Sequence, residues 1–80
     1  MEKQKANMLD KILSRNLRIP IEKLSDDVSY DLESNWDSVT HLKMISEIEE
    51  ALGIRFDIDE IVSLESVGKI RESIAKKLIN

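Results

Sequence analysis

At 80 residues, 41% hydrophobic and with a net charge of −4, the chain suits one small domain, expected over residues 1–80. A chain this short hides only about 60% of the surface its unfolded form exposes, so a second domain is excluded. Cysteine is absent, which rules out disulfides, thiolate metal ligands and thiol nucleophiles in the chain and fits a reducing compartment such as the cytoplasm.

Lys3 and Lys5 are not followed by an apolar stretch of signal-peptide length. Nowhere does a run approach the roughly 18 apolar residues of a membrane span. Between Asp26 and Glu65 lie twelve acids against two bases, Lys43 and Arg55, whereas the two ends hold ten bases and four acids. A central acidic belt argues against nucleic acid, whose phosphates need a basic stripe, and it favours steering toward basic protein partners. If the acids share one surface, salt should raise the melting temperature.

Gly53, Gly68 and Pro20 are the strong breakers, and apolar residues recur by three and four rather than alternating, so the chain reads as helical without a convincing strand. A first helix is expected from about Gln4 to Asn16, with Met8, Leu9, Ile12 and Leu13 as its stripe and Pro20 barring its continuation. Arg18 to Trp36 is then a long connection, of a length that is usually functional or pinned down. Ile19, Ile21, Leu24, Val28, Tyr30 and Leu32 are the residues expected to pin it.

The second helix, Ser38 to Leu52, is the clearest: Val39, Leu42, Ile45, Ile48 and Leu52 recur at helical spacing and Gly53 stops it. Asp57 and Glu60 have the spacing of a capping box for a short third helix, about Ile58 to Val62. Ser66 can cap a last helix with Val67, Ile70, Ile74 and Leu78 as its stripe, and Lys76 and Lys77 complement its C-terminal dipole. The expected fold is all-α: a small four-helix bundle with a long loop between helices 1 and 2 and a short third helix.

Asp37 is placed as N-cap of the second helix, accepting from the amide of Thr40 or His41. Ser38 is then its first residue, beside amides without intrahelical partners at the positive end of the macrodipole. A phosphate on Ser38 Oγ would be favourably located there. A capping serine and nothing more is the alternative. A Ser38, His41, Asp37 triad fails on geometry, because neighbours on a helix point in different directions and the acid must lie behind the histidine. His41 with Asp37 is also too small a set for a metal.

Asp37-Ser38-Val39, the run Ile48-Glu49-Glu50-Ala51-Leu52-Gly53-Ile54, the segment from Phe56-Asp57 to Ile61 and the Ser66-Val67 start together resemble the acyl carrier protein family over nearly the whole chain. The resemblance implies a stand-alone carrier that is not itself an enzyme, with 4'-phosphopantetheine from coenzyme A joined to Ser38 through a phosphodiester. The arm's thiol would hold an acyl or aminoacyl group as a thioester. It further implies a phosphopantetheinyl transferase, a loading enzyme and downstream transferases or synthases as partners, and a monomer.

Fatty acid synthesis carriers commonly read Asp-Leu-Gly-Ala-Asp-Ser-Leu where this chain has Glu33-Ser34-Asn35-Trp36-Asp37-Ser38-Val39. Asn35 can replace glycine where a left-handed backbone is needed. Trp36 either packs onto the loop or borders the arm, its edge helping a partner read the serine. The outward face of the second helix, where the family docks its enzymes, is expected to present Val39, Thr40, Lys43, Met44, Glu47 and Glu50. Lys43 would repel the basic patches that fatty acid carriers meet, which points to a specialised pathway. Lys43 also has the spacing to pair with Glu47. Primary fatty acid synthesis, or an unmodified acidic helical interaction module, are the alternatives.

Overall fold

The computed structural model describes residues 2–78, all helix and connection among the described residues apart from one isolated bridge. Four α-helices follow in order: α1 Lys3–Leu17, α2 Ser38–Leu52, α3 Ile58–Ser63 and α4 Val67–Leu78. A single 3₁₀ turn at Ile21–Lys23 interrupts the long first connection. The expected bundle is the one found.

The core is aliphatic. Leu9, Ile12, Leu13 and Leu17 of α1 meet Met44, Ile45, Ile48 and Leu52 of α2 and Val67, Ile70 and Ile74 of α4. Leu24, Trp36, Phe56 and Leu64 close it from the connections. α3 buries none of its residues fully; Ile61 packs against the core and polar bonds add to its hold. Lys77 Nζ donates to Glu60 at 2.9 Å and its ammonium lies 5.2 Å from the Phe56 ring centre. Its own N-terminus is closed by the expected capping box, Glu60 N to Asp57 Oδ1 at 2.9 Å and Asp57 N to Glu60 Oε1 at 3.0 Å.

Two helix ends use the same backbone device with different residues. α2 stops at Gly53 (φ 66°), whose N–H bonds Glu49 O. α1 stops at Arg18 (φ 60°), whose N–H bonds Ser14 O. Glycine adopts this left-handed conformation without steric penalty, whereas a residue with a Cβ bears roughly 1 to 2 kcal/mol. Arg18 is the only non-glycine residue with positive φ among the described residues. Asn35, expected in this conformation, is therefore not in it.

The long connection is pinned both by buried Leu24 and Trp36 and by hydrogen bonds to α4 and the residues just before it. Tyr30 N donates to Glu65 O at 2.8 Å and Val67 N to Val28 O at 2.9 Å, around an antiparallel bridge between Ser29 and Ser66. Arg71 donates to Asp26, to Asp10 at 2.9 Å and to Leu24 O at 3.1 Å, joining α4, the connection and α1. Of the six residues expected to pin it, Leu24 is buried and Ile19 and Val28 are partly so, but Ile21, Tyr30 and Leu32 stay exposed, Leu32 at 81%.

Gly68 lies inside α4 and allows this crossing: an added Cβ would sit 3.0 Å from Asp26 Cβ and 3.2 Å from its carbonyl oxygen. Alanine ordinarily gains about 1 kcal/mol over glycine in a helix. Here Gly68→Ala is expected to lower the melting temperature instead, because the connection must shift away; a rise would show that Asp26 yields freely.

The acidic belt is partly neutralised by the basic ends. Glu47 pairs with Arg15, Glu60 with Lys77 and Asp26 with Arg71, while Asp37, Asp57 and Glu49 accept backbone amides. The acids do not crowd one surface unopposed. Salt then screens attraction as well as repulsion, and its expected benefit to stability shrinks accordingly.

Candidate functional site

At the start of α2, Asp37 has an extended backbone and its Oδ1 accepts from Thr40 N at 2.8 Å, while its carbonyl accepts from His41 N at 2.8 Å. Ser38 is the first helical residue and is exposed. Its N–H has no acceptor among the described residues, while the Val39 N–H adds to the backbone bonds at the Asp37 carboxylate. Ser38 Oγ is not needed as a cap, because Asp37 already fills that role. A hydroxyl open to solvent at the N-terminus of a 15-residue helix, beside its own free amide, suits an oxyanion attached at that oxygen.

The bond from the Thr40 amide, assisted by the Thr40 side chain, holds the Asp37 carboxyl below its ordinary range. Glu60 is lowered by the Lys77 hydrogen bond and then by the Asp57 amide. For Glu47, burial opposes the charge, but the bonds from Arg15 and Asn16 and the Arg15 charge outweigh it and lower the pKa. All three carboxyls are more acidic folded than unfolded. Their stabilisation is fully present above the unfolded values and is lost as pH falls through the folded ones, so the melting temperature should decline progressively below about pH 5. Thermal unfolding followed by circular dichroism checks this; a melting temperature constant down to about pH 3 would contradict it.

Trp36, directly before the acid and serine, is 2% exposed. Its Nε1 donates to His41 Nδ1 at 3.0 Å, and His41 Nε2 lies 2.8 Å from Ile61 O. Indole can only donate, so Nδ1 must be the acceptor and Nε2–H the donor to the carbonyl. This neutral tautomer links the loop before Ser38, the first turn of α2 and α3. Tyr30 lies edge-on to the imidazole at 6.2 Å. With both ring nitrogens committed, His41 is available neither as a base for Ser38 nor as a metal ligand.

Two of the docking candidates are buried: Trp36, for which packing onto the loop was the other reading, and Met44. Trp36 packs inside rather than bordering the serine's surroundings. Met44 is fully buried, because turning His41 inward rotates the apolar face of α2 so that Met44 joins Ile45, Ile48 and Leu52. The same rotation exposes Leu42 at 58%, which the periodicity assigned to the core, and Val39 at 75%, which the periodicity placed in the apolar stripe but the resemblance placed on the docking face. Val39, Lys43 and Glu50 are exposed as expected and Thr40 is half-buried. Glu47 is half-buried and paired with Arg15 and Asn16, not with Lys43.

The periodicity also missed Ile58 and Val62, 78% and 70% exposed. They stand four residues apart on one face of α3, a spacing that would have marked them. Asn35 is not a glycine substitute; its Nδ2 donates to Leu17 O at 3.2 Å and ties the loop before Ser38 to the end of α1. A polar cleft of about 310 Å³ opens beside that tie, lined by Arg15, Arg18, Asn35, Asp37, Thr40 and Lys43 among others. An apolar cleft of about 250 Å³ lies by Tyr30, His41, Val62, Leu64 and Glu65.

No helix among the described residues is long and apolar enough to cross a membrane. Over 65 residues the chain is 29% identical to the non-reducing polyketide synthase CTB1 of Cercospora nicotianae, a match covering 81% of this chain and 3% of the synthase. It is 23% identical over 64 residues to an acyl carrier protein of Saccharopolyspora erythraea, covering 80% of this chain and 67% of that one. The chain thus spans only a small fraction of the synthase it matches. The family model for the phosphopantetheine attachment site matches residues 9–74. This chain therefore belongs to the phosphopantetheine-attachment family of carrier domains, whose prosthetic group is covalently bound 4'-phosphopantetheine.

Proposed function

We propose that Ser38 is the attachment residue and that the chain presents an acyl or aminoacyl group to the enzymes of a specialised biosynthetic pathway. When bound, the prosthetic arm supplies the thiol that the sequence lacks and holds the cargo as a thioester. The observation that carries the reading is the exposed Ser38 hydroxyl, at the first position of a 15-residue helix whose capping bond is already made by Asp37.

The roles of the chain's residues follow. Within a transferase, Ser38 Oγ attacks the β-phosphorus of the coenzyme A pyrophosphate: the Oγ–P bond forms, the bridging P–O bond breaks so that adenosine 3',5'-bisphosphate leaves, and the hydroxyl proton passes to a base of the transferase. The free amide of Ser38 and the positive end of the α2 dipole favour the phosphate left on Oγ. Val39 and Leu42 on α2 with Ile58 and Val62 on α3 offer exposed apolar surface near the serine, of the kind that marks protein contacts. They replace Trp36 and Met44 in the docking role. In this reading the chain acts by positioning its cargo, and the chemistry is supplied by partner enzymes.

Lys43, where fatty acid carriers often have an acid, supports a specialised pathway, as does the similarity to a polyketide synthase. The test is incubation with coenzyme A, Mg²⁺ and a broad-specificity phosphopantetheinyl transferase, followed by intact-mass and fragment-mass measurement. One phosphopantetheinyl increment on the peptide containing Ser38 is expected. No increment would leave an unmodified interaction module, and an increment elsewhere would displace Ser38. The thioester on protein isolated from its native cell identifies the cargo.

A further inference from the structure

We infer that the polar cleft between the end of α1 and the start of α2 is a docking site for an acidic segment of an enzyme that works at Ser38. The inference rests on the carrier reading only for which proteins bring that segment. Three cations converge there: Arg15, Arg18 and Lys43. Arg15 is partly neutralised by Glu47 yet keeps 66% of its side chain exposed. Arg18 and Lys43 are exposed and form no salt bridge among the described residues. The Asp37 carboxylate also lines the cleft and stays charged, and Glu47 sits against Arg15 and near Lys43, so the three cations outweigh the two acids by one charge.

The conformation of Arg18 is an independent observation. It ends α1 in the left-handed region (φ 60°), where Gly53 ends α2 in the same region without a Cβ to strain. A side chain held in a sparsely populated conformation, at a position glycine would fill more cheaply, points to a use for that side chain beyond folding. The site is also rigid: Ile19 N bonds Ser14 O at 3.2 Å, and Asn35 fixes the facing loop to Leu17 O. Guanidinium and ammonium groups held open on a fixed rim suit carboxylates, which they bind with charge-assisted hydrogen bonds. The cleft joins two cations of the basic N-terminal end to Lys43, a base within the acidic middle, and its small net positive charge can select partners by charge.

The test is a titration of isotope-labelled, unmodified protein with a hexaglutamate peptide, followed by amide and side-chain NMR shifts. Shifts are expected at Arg18, Lys43 and the Asn35 side-chain amide, and added salt should reverse them. Arg18→Gly should weaken binding about threefold, and Arg18→Gly with Lys43→Glu about tenfold, in keeping with surface ion pairs. Arg18→Gly should at the same time raise the melting temperature, so its lost binding cannot come from unfolding.

Unchanged binding in Arg18→Gly would overturn the proposal, as would equal shifts at Lys69 and Lys76. Shifts that appear on raising the protein concentration alone, with self-association in sedimentation, would assign the cleft to a second copy and overturn it too. Because the titration uses protein without the arm, its failure is distinct from a failure to accept phosphopantetheine.

Discussion

Trp36→Ala is expected to abolish cooperative unfolding near room temperature. Replacing a buried aromatic side chain by alanine costs about 3 to 5 kcal/mol, and a single small core in a chain of this size supplies on the order of 3 to 5 kcal/mol. The indole is 2% exposed and its N–H is the partner of His41 Nδ1. Its removal therefore leaves a cavity and an unpaired acceptor together.

Trp36→Phe separates the two terms: much of the ring packing remains while the hydrogen bond is lost, at a cost of about 1 to 3 kcal/mol. In a domain this small that is a fall of roughly 4 to 8 °C for each kcal/mol. Thermal circular dichroism measures both variants. An Ala variant melting within a few degrees of the parent would show that Trp36 does not anchor the loop before Ser38. Burial also predicts that Trp36 emission is the same in unmodified and modified protein, since the ring does not border the arm.

Ser38→Ala is expected to eliminate phosphopantetheinylation while leaving the fold almost untouched. The hydroxyl is the nucleophile in the proposed transfer, so its loss removes the reaction rather than slowing it. Its structural contribution is small because Asp37 makes the capping bond to Thr40 N. Asp37→Ala should show the converse at the level of stability, losing about 0.5 to 2 kcal/mol as capping residues do. The pair distinguishes an attachment serine from a capping serine. A marked drop in melting temperature for Ser38→Ala, or a mass increment that survives it, would return Ser38 to a structural role.

Much of this was legible in one dimension. The 3.6-residue spacing of apolar positions, Pro20, Gly53 and the Asp57–Glu60 box determined four helices within a residue or two of where they lie, because capping and breaking are local events. The same locality placed Ser38 at the first turn of α2, behind an acid free to cap it. The Ser66 cap was legible too, its Oγ accepting from Lys69 N at 3.1 Å.

Tertiary structure alone decided which faces turn inward. The Trp36–His41–Ile61 bonds and the burial of Met44 set the rotation of α2. Periodicity cannot see a side-chain bond across twenty residues, so it put Val39 and Leu42 in the core stripe and left Met44 out of it. Nor can spacing show that Glu47 prefers Arg15 to Lys43, or that Asn35 reaches Leu17 instead of adopting a left-handed backbone. These outcomes depend on helices packed against one another, and only close approach between distant segments creates the partners on which they rest.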